Sequence, residues 1–186
     1  MEKFFFSDYF CQLNRLTTSL IESDLINVAN KIINNQKLGG KVIVVGNGGS
    51  AAIASHVTVD LNKAAGIQAI NFNDPAIITC FANDFGYENW VKEAIKIHCK
   101  SDDTVILISS SGESLNIING MIEANLITES TVSLTGFNKN NTLSTLGSIN
   151  LWLDSSVYNY VELVHNIWLL SMIDYIIKKY KKNYNL

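Results

Sequence analysis

Apolar residues along this chain follow two rhythms. From Phe6 to Gln36 they recur at helical spacing, at Phe10, Leu13, Leu16 and Leu20 and then at Leu25, Val28 and Ile32, which predicts two amphipathic helices. Ser23-Asp24 marks a break where either residue can cap the second helix, and Gly39-Gly40 ends it. Beyond that point short apolar runs alternate with helical stretches. Strands are predicted at Lys41–Val45, Gln68–Asn71, Thr104–Ile108, Ser130–Thr135 and Ile149–Leu153. Helices are predicted from the first glycine loop through Leu61, over Asp74–Ala82 and Tyr87–Cys99, through Ala124, and from Asn159 to Tyr180. The runs at 41–45 and 104–108 are β-branched and uncharged past their first residue or two, as strands buried on both faces are. Strands separated by helices imply right-handed crossovers and a mostly parallel sheet covered on both faces. The expected fold is therefore a three-layer, doubly wound α/β sandwich. Residues 1–38 form a helical N-terminal extension and 39–186 the α/β core of a single domain.

Two of these strands end in loops suited to an anion. Val45 runs into Gly46-Asn-Gly-Gly-Ser50, and Ile108 runs into Ser109-Ser-Ser-Gly-Glu-Ser114. Each loop then enters a helix, so backbone N–H groups and the positive end of a helix dipole face whatever sits above. In a doubly wound sheet ligands bind beyond the carboxyl ends of the strands, where both loops lie. Serine hydroxyls add donors with little bulk, and together the loops point to a phosphorylated small molecule. The first loop is not the dinucleotide pattern of three spaced glycines, and no acidic residue ends the next strand. No glycine-lysine nucleotide loop is present either.

Composition narrows the partners. The 186 residues are 47% hydrophobic and 17% charged, with a net charge of −3 and a single arginine, Arg15. That is a globular chain without the basic, arginine-rich surface nucleic acid requires. Lysines within Ile177–Asn183 read as a solvated helix end, with a partner patch as the alternative. Cys11, Cys80 and Cys99 are too widely spaced for a metal pair and read as reduced and partly buried. Met1-Glu-Lys-Phe-Phe-Phe lacks the order of a signal peptide. The longest apolar stretch, Leu163 to Ile177, is interrupted by His165, Asn166 and Asp174, short of the roughly 20 residues a membrane span needs. These features lead to the expectation of a cytoplasmic protein with no membrane and no nucleic-acid partner.

Three motifs in order, Gly46-Asn-Gly-Gly-Ser-Ala-Ala-Ile-Ala-Ser-His56, Asn83-Asp-Phe-Gly-Tyr87 and Ser109-Ser-Ser-Gly-Glu-Ser114, resemble the sugar isomerase (SIS) domain family. Within it the chain is most similar to the phosphoheptose isomerases, over nearly its whole length. The resemblance implies a flavodoxin-like sheet and an aldose–ketose isomerase of a phosphosugar such as sedoheptulose 7-phosphate, supplying surface polysaccharide. It implies that Ser109, Ser110, Ser111 and Ser114 grip the phosphate, that Asn47, Gly48 and Ser50 contact the substrate, and that Asp84 lies near its hydroxyls. Bland readings stand beside these: serine as a helix cap, Asn47 as a turn former, and Asn-Asp-Phe-Gly as a helix stop.

His56 and Asp60 stand four apart on one helix face, where the family has a histidine and a glutamate base. Isomerisation needs a carboxylate over the reacting carbons and an acid for the sugar oxygens. The last helix offers Glu162 and His165, at the places of a family glutamine and histidine. Leu170 falls where a second, catalytic histidine stands, and Asn159 replaces an aspartate. The expected catalytic set is therefore Asp60, Glu162 and His165, with packing as the competing role for His165. Some family members bind zinc, and His56, Asp60 and Glu162 are the ligand set available here, with water in the fourth place. Family members assemble as homotetramers with shared active sites, and the aromatic segment Phe4, Phe5, Phe6, Tyr9 and Phe10 suits a buried subunit face. A non-catalytic phosphosugar-binding or protein-interaction module is the alternative that Leu170 favours. Another is an isomerase for a different phosphosugar.

Overall fold

A computed structural model describes residues 4–180. Met1–Lys3 and the lysines at 181 and 182, on which the readings of the N-terminus and of the basic helix end partly fall, lie outside the described residues. The elements run α1 (Phe5–Thr17), α2 (Glu22–Lys37), β1 (Val42–Gly46), α3 (Gly49–Asp60), β2 (Ala69–Ile70), α4 (Pro75–Phe85) and α5 (Trp90–His98). They continue with β3 (Thr104–Ser109), α6 (Leu115–Ile127), β4 (Thr131–Thr135), β5 (Ile149–Trp152) and α7 (Tyr158–Tyr180).

The strands pair in the order β2-β1-β3-β4-β5, all parallel, with Val42 opposite Thr104 and Val105 opposite Thr131. Alternation along each strand divides the core between two faces. Val42, Val44, Ile106, Ile108, Val132 and Leu134 pack with residues of α2, α3 and α7, whereas Ile43, Val45, Val105 and Leu107 pack with α5 and α6. The expected three layers are thus realised. Burying a side chain of this size contributes about 1.5–3 kcal/mol relative to exposure, so the two faces dominate the fold's stability. Trp90 and Trp168 are core residues, 1% and 2% exposed.

Differences from the expected elements have local causes. The first interhelix break comes before Ser23, because Thr17 and Ser19 turn their hydroxyls back onto the carbonyls of Leu13 and Leu16 and close α1. Trp168 Nε1 then donates to Thr17 O at 2.9 Å, fastening that end to α7. After α3 the chain makes a single π turn over Leu61–Ala65, which Gly66 ends at φ +71°. At 23 residues α7 is long and apolar enough to cross a membrane by length and composition, contrary to the expectation, but half of its most apolar window is buried in the protein. Cys11 and Cys80 are exposed and only Cys99 is buried, so burial holds for one of the three free cysteines. Burial pushes the Cys99 thiol up to about 11, which suits an inert packing group.

Candidate functional site

The strand order reverses direction between β1 and β3, and the crevice beyond their carboxyl ends is where such sheets take ligands. The glycine loop and the serine loop flank it. In the first, Gly46 lies so close to the backbone of Ser50 that any Cβ would collide with it, and Gly48 sits at φ +53°, ψ −122°. A side chain at either position would open the turn. The turn starts α3 with no side-chain cap, leaving its first N–H groups unclaimed by side chains.

In the second loop Ser109 Oγ donates to Ser114 Oγ at 3.2 Å and accepts from Gly112 N at 3.2 Å, and Ser111 Oγ accepts from Glu113 N at 3.2 Å. Ser114 occupies the N-cap of α6 but makes no side-chain cap bond. The simple capping reading therefore does not describe it. The loop after β4 braces the whole turn. Glu113 accepts from Thr142 N at 2.8 Å and from Thr142 Oγ1 at 2.7 Å, and these bonds hold its carboxyl below the usual range. Leu143 N donates to Gly112 O, and buried Asn141 fills the space a Cβ on Gly112 would need.

Two clefts open at this edge. A small one of about 110 Å³ is lined by Asn47, Ser50, Ser109, Ser110, Ser111 and Ser114 together with Ile108, Tyr158 and Glu162. A larger one of about 450 Å³ lies between α1, α3 and α7, lined by Tyr9, Gly49, Ala52, Ile53, His56, Asn159, Glu162, Leu163 and Asn166. Glu162 belongs to both. Its carboxylate lies against Gly49, where a Cβ would overlap it, and so it sits at the positive end of α3.

The structure brings most of the predicted residues to this edge and leaves others aside. Asn47, Ser50, the four serines and Glu162 meet in the small cleft, and His56 faces the large one. Gly48 shapes the turn with its backbone. Asp60 lines neither cleft and instead pairs with His56, Nε2 to Oδ2 3.4 Å, with both side chains substantially exposed. Asp84 lines neither; it accepts from Asn83 Nδ2 at 2.9 Å in the exposed last turn of α4. His165 departs furthest from the expected catalytic role. It is fully buried, its Nε2 is 3.1 Å from Thr135 O, and burial lowers its pKa to about 4. It stands one turn along α7 from Glu162 but roughly 60° round the axis, and that offset carries it onto the sheet, so it is a neutral packing group.

Leu170 is partly buried against the apolar core and supplies no donor to the edge. Among the described residues no three His, Cys, Asp or Glu side chains gather closely enough to hold a metal ion. The set His56, Asp60 and Glu162 therefore does not fit zinc within one chain.

Sequence reading missed the residues that orient the site. Asn116, 2% exposed on α6, exchanges two 2.9 Å hydrogen bonds with Asn47, and Tyr87 OH donates to Asn47 Oδ1 at 3.3 Å. Tyr87 carried a signal, since it ends the Asn-Asp-Phe-Gly-Tyr motif. Asn116 carried little beyond standing two residues past the serine loop.

The fold and site define a class: a flavodoxin-like α/β protein with a braced serine-rich loop at the switch point of its sheet. The SIS domain matches residues 8–136. A probable phosphoheptose isomerase of Thermoplasma volcanium is 29% identical over 94% of this chain and 91% of its own. Its counterpart in Thermoplasma acidophilum is 33% identical over 80% and 84%. The structure of a phosphoheptose isomerase from Francisella tularensis superposes with a TM-score of 0.84 at 25% identity, covering 93% of this chain and 96% of that one. This chain belongs to the SIS domain family.

Proposed function

We propose that this protein is a phosphosugar aldose–ketose isomerase. Its substrate would be a seven-carbon ketose phosphate, sedoheptulose 7-phosphate, converted to a D-glycero-D-manno-heptose 7-phosphate for surface polysaccharide. The observation that carries the reading is the position of Glu162, whose carboxylate lines both the serine-walled cleft and the larger one beside it. Relatives named phosphoheptose isomerase, matched over most of their length, support the substrate class.

In this reading the phosphate rests on Ser109, Ser110, Ser111 and Ser114 and on the N-terminus of α6. The carbon chain extends past Glu162 into the larger cleft. Glu162 takes a proton from C1 of the ketose, the C–H electron pair forms the C1=C2 bond, and the C2 carbonyl oxygen becomes an enediolate oxygen. His56, oriented by Asp60, moves a proton between O1 and O2. Glu162 then returns its proton to C2, leaving the aldehyde at C1. Asp60 keeps a role as the partner of His56, with Glu162 as the base.

The aromatic face of α1, with Phe4, Phe5, Phe6 and Phe10 each more than half exposed, supports assembly into a homotetramer. A binding module without catalysis is the second reading, favoured by the apolar Leu170. Deuterium incorporation from solvent at the carbon beside the carbonyl of sedoheptulose 7-phosphate separates the two. The isomerase reading expects exchange that Glu162→Gln abolishes and Asp60→Asn only slows. Absence of exchange by the native chain, with the sugar phosphate still raising its melting temperature, would sink the heptose isomerase reading and leave a binding module or an isomerase for a different phosphosugar.

A further inference from the structure

The amide pair that ties the two loops together leaves a specific remainder. Asn47 Oδ1 accepts from Asn116 Nδ2 at 2.9 Å and from Tyr87 OH at 3.3 Å, which uses both lone pairs of that oxygen. Asn47 Nδ2 gives one hydrogen to Asn116 Oδ1 at 2.9 Å. One N–H of Asn47 is left over, on a residue that lines the small cleft beside the serines and Glu162.

We infer that Asn116 and Tyr87 are positioning residues that make Asn47 a donor only, aimed at the sugar oxygen that becomes negative when Glu162 removes the neighbouring proton. This deepens the isomerase reading and rests on it. The chemistry is specific. As the C–H pair moves into the new double bond, the carbonyl oxygen gains charge, and a fixed N–H stabilises it at no cost of reorganisation. An amide free to turn over would offer its oxygen half the time and repel that charge. Two elements distant in the chain hold this amide of the loop after β1 against turning: the first turn of α6 and the connection between α4 and α5. Asn116 is too buried to swing toward solvent.

The test compares the native chain with Asn116→Leu, Asn116→Asp and Tyr87→Phe. Affinity for inorganic phosphate and for sedoheptulose 7-phosphate is read by calorimetry, and kcat and KM by deuterium exchange. Inorganic phosphate has no carbonyl oxygen to meet the aimed N–H, so its affinity should stay within about twofold, whereas the preference for sugar phosphate falls about tenfold in Asn116→Leu. kcat should drop by about thirtyfold with a smaller change in KM, since the bond strengthens as charge develops. Asn116→Asp, which accepts from Asn47 but cannot donate to it, should resemble Asn116→Leu. Tyr87→Phe removes one hydroxyl from an exposed side chain, keeps the inference testable if the Asn116 variants misfold, and should show a loss of about threefold.

Equal losses for phosphate and sugar phosphate would mean a merely structural pair and would overturn the inference. So would unchanged values in all three variants. A native chain that binds without exchanging overturns the isomerase reading and the stabilised charge with it, and the ratio of the two affinities then reads separately whether Asn116 and Tyr87 aim Asn47 at the bound sugar.

Discussion

The glycine loop and the serine loop occupy equivalent places, each following a buried strand and opening a helix, yet they are held in opposite ways. The serine loop is braced from outside: Thr142, Leu143 and Asn141 reach it from the segment after β4, and its serines bond one another. The glycine loop is shaped by the absence of side chains at Gly46 and Gly48, and its Asn47 amide is held by Asn116 and Tyr87. A loop that only binds an anion tolerates bracing by many weak bonds. A loop beside the reacting atoms needs open space and one directed group. Under the proposed isomerase function that contrast separates binding from chemistry, so substitutions on either side should move different constants.

The largest effect is expected on the chemical side. Glu162→Gln keeps the shape of the shared wall and removes the base, so exchange should fall by about a thousandfold, with phosphate affinity kept. Next comes Gly49→Ala, whose methyl would displace the Glu162 carboxylate. A loss of about a hundredfold in kcat with an unchanged melting temperature is expected, since alanine suits the start of a helix. Ser114→Ala acts on the other loop, and KM should rise by about tenfold while kcat holds, as removal of one hydrogen bond to a charged group predicts. An unchanged KM in that variant would erase the division between the loops.

Two acid-sensitive groups sharpen it further. His165 has a folded pKa of about 4 against 6.5 for the free side chain, so below about pH 6.5 the unfolded chain binds the extra proton. Stability should fall as pH drops through that window, by on the order of 3 kcal/mol at its acid end. Urea titrations of His165→Gln should lose that slope while exchange activity at neutral pH persists. The lowered Glu113 works within the serine loop, and its contribution, present above the ordinary carboxylate range, is lost as pH falls through its folded pKa. Glu113→Gln should weaken phosphate binding by about twofold and leave kcat alone, the smallest change of the set.

Much of this is legible in the sequence. The strands at β1 and β3 announce themselves as unbroken β-branched runs, because a parallel strand covered on both faces needs apolar residues at every position. The loops follow from glycine and serine, which encode backbone freedom and compact donors. The carboxylate of Glu162 could be placed on α7 from the spacing of that helix. What the pattern could not give was its phase relative to the sheet. His165 reads as a partner of Glu162 at helical spacing, yet it turns into the core onto Thr135.

The chain by itself therefore determined the layered α/β fold, the sheet edge where the glycine and serine loops meet and the small polar side chains that line it, since these follow from local periodicity and from the chemistry of short motifs. Only the tertiary structure decided that Asp60 and Asp84 stand outside the clefts, that Glu162 joins them, and that Asn47 answers to Asn116 and Tyr87. The last of these rests on contacts 40 and 69 residues apart in the chain, and a local pattern carries no record of which distant side chain completes it.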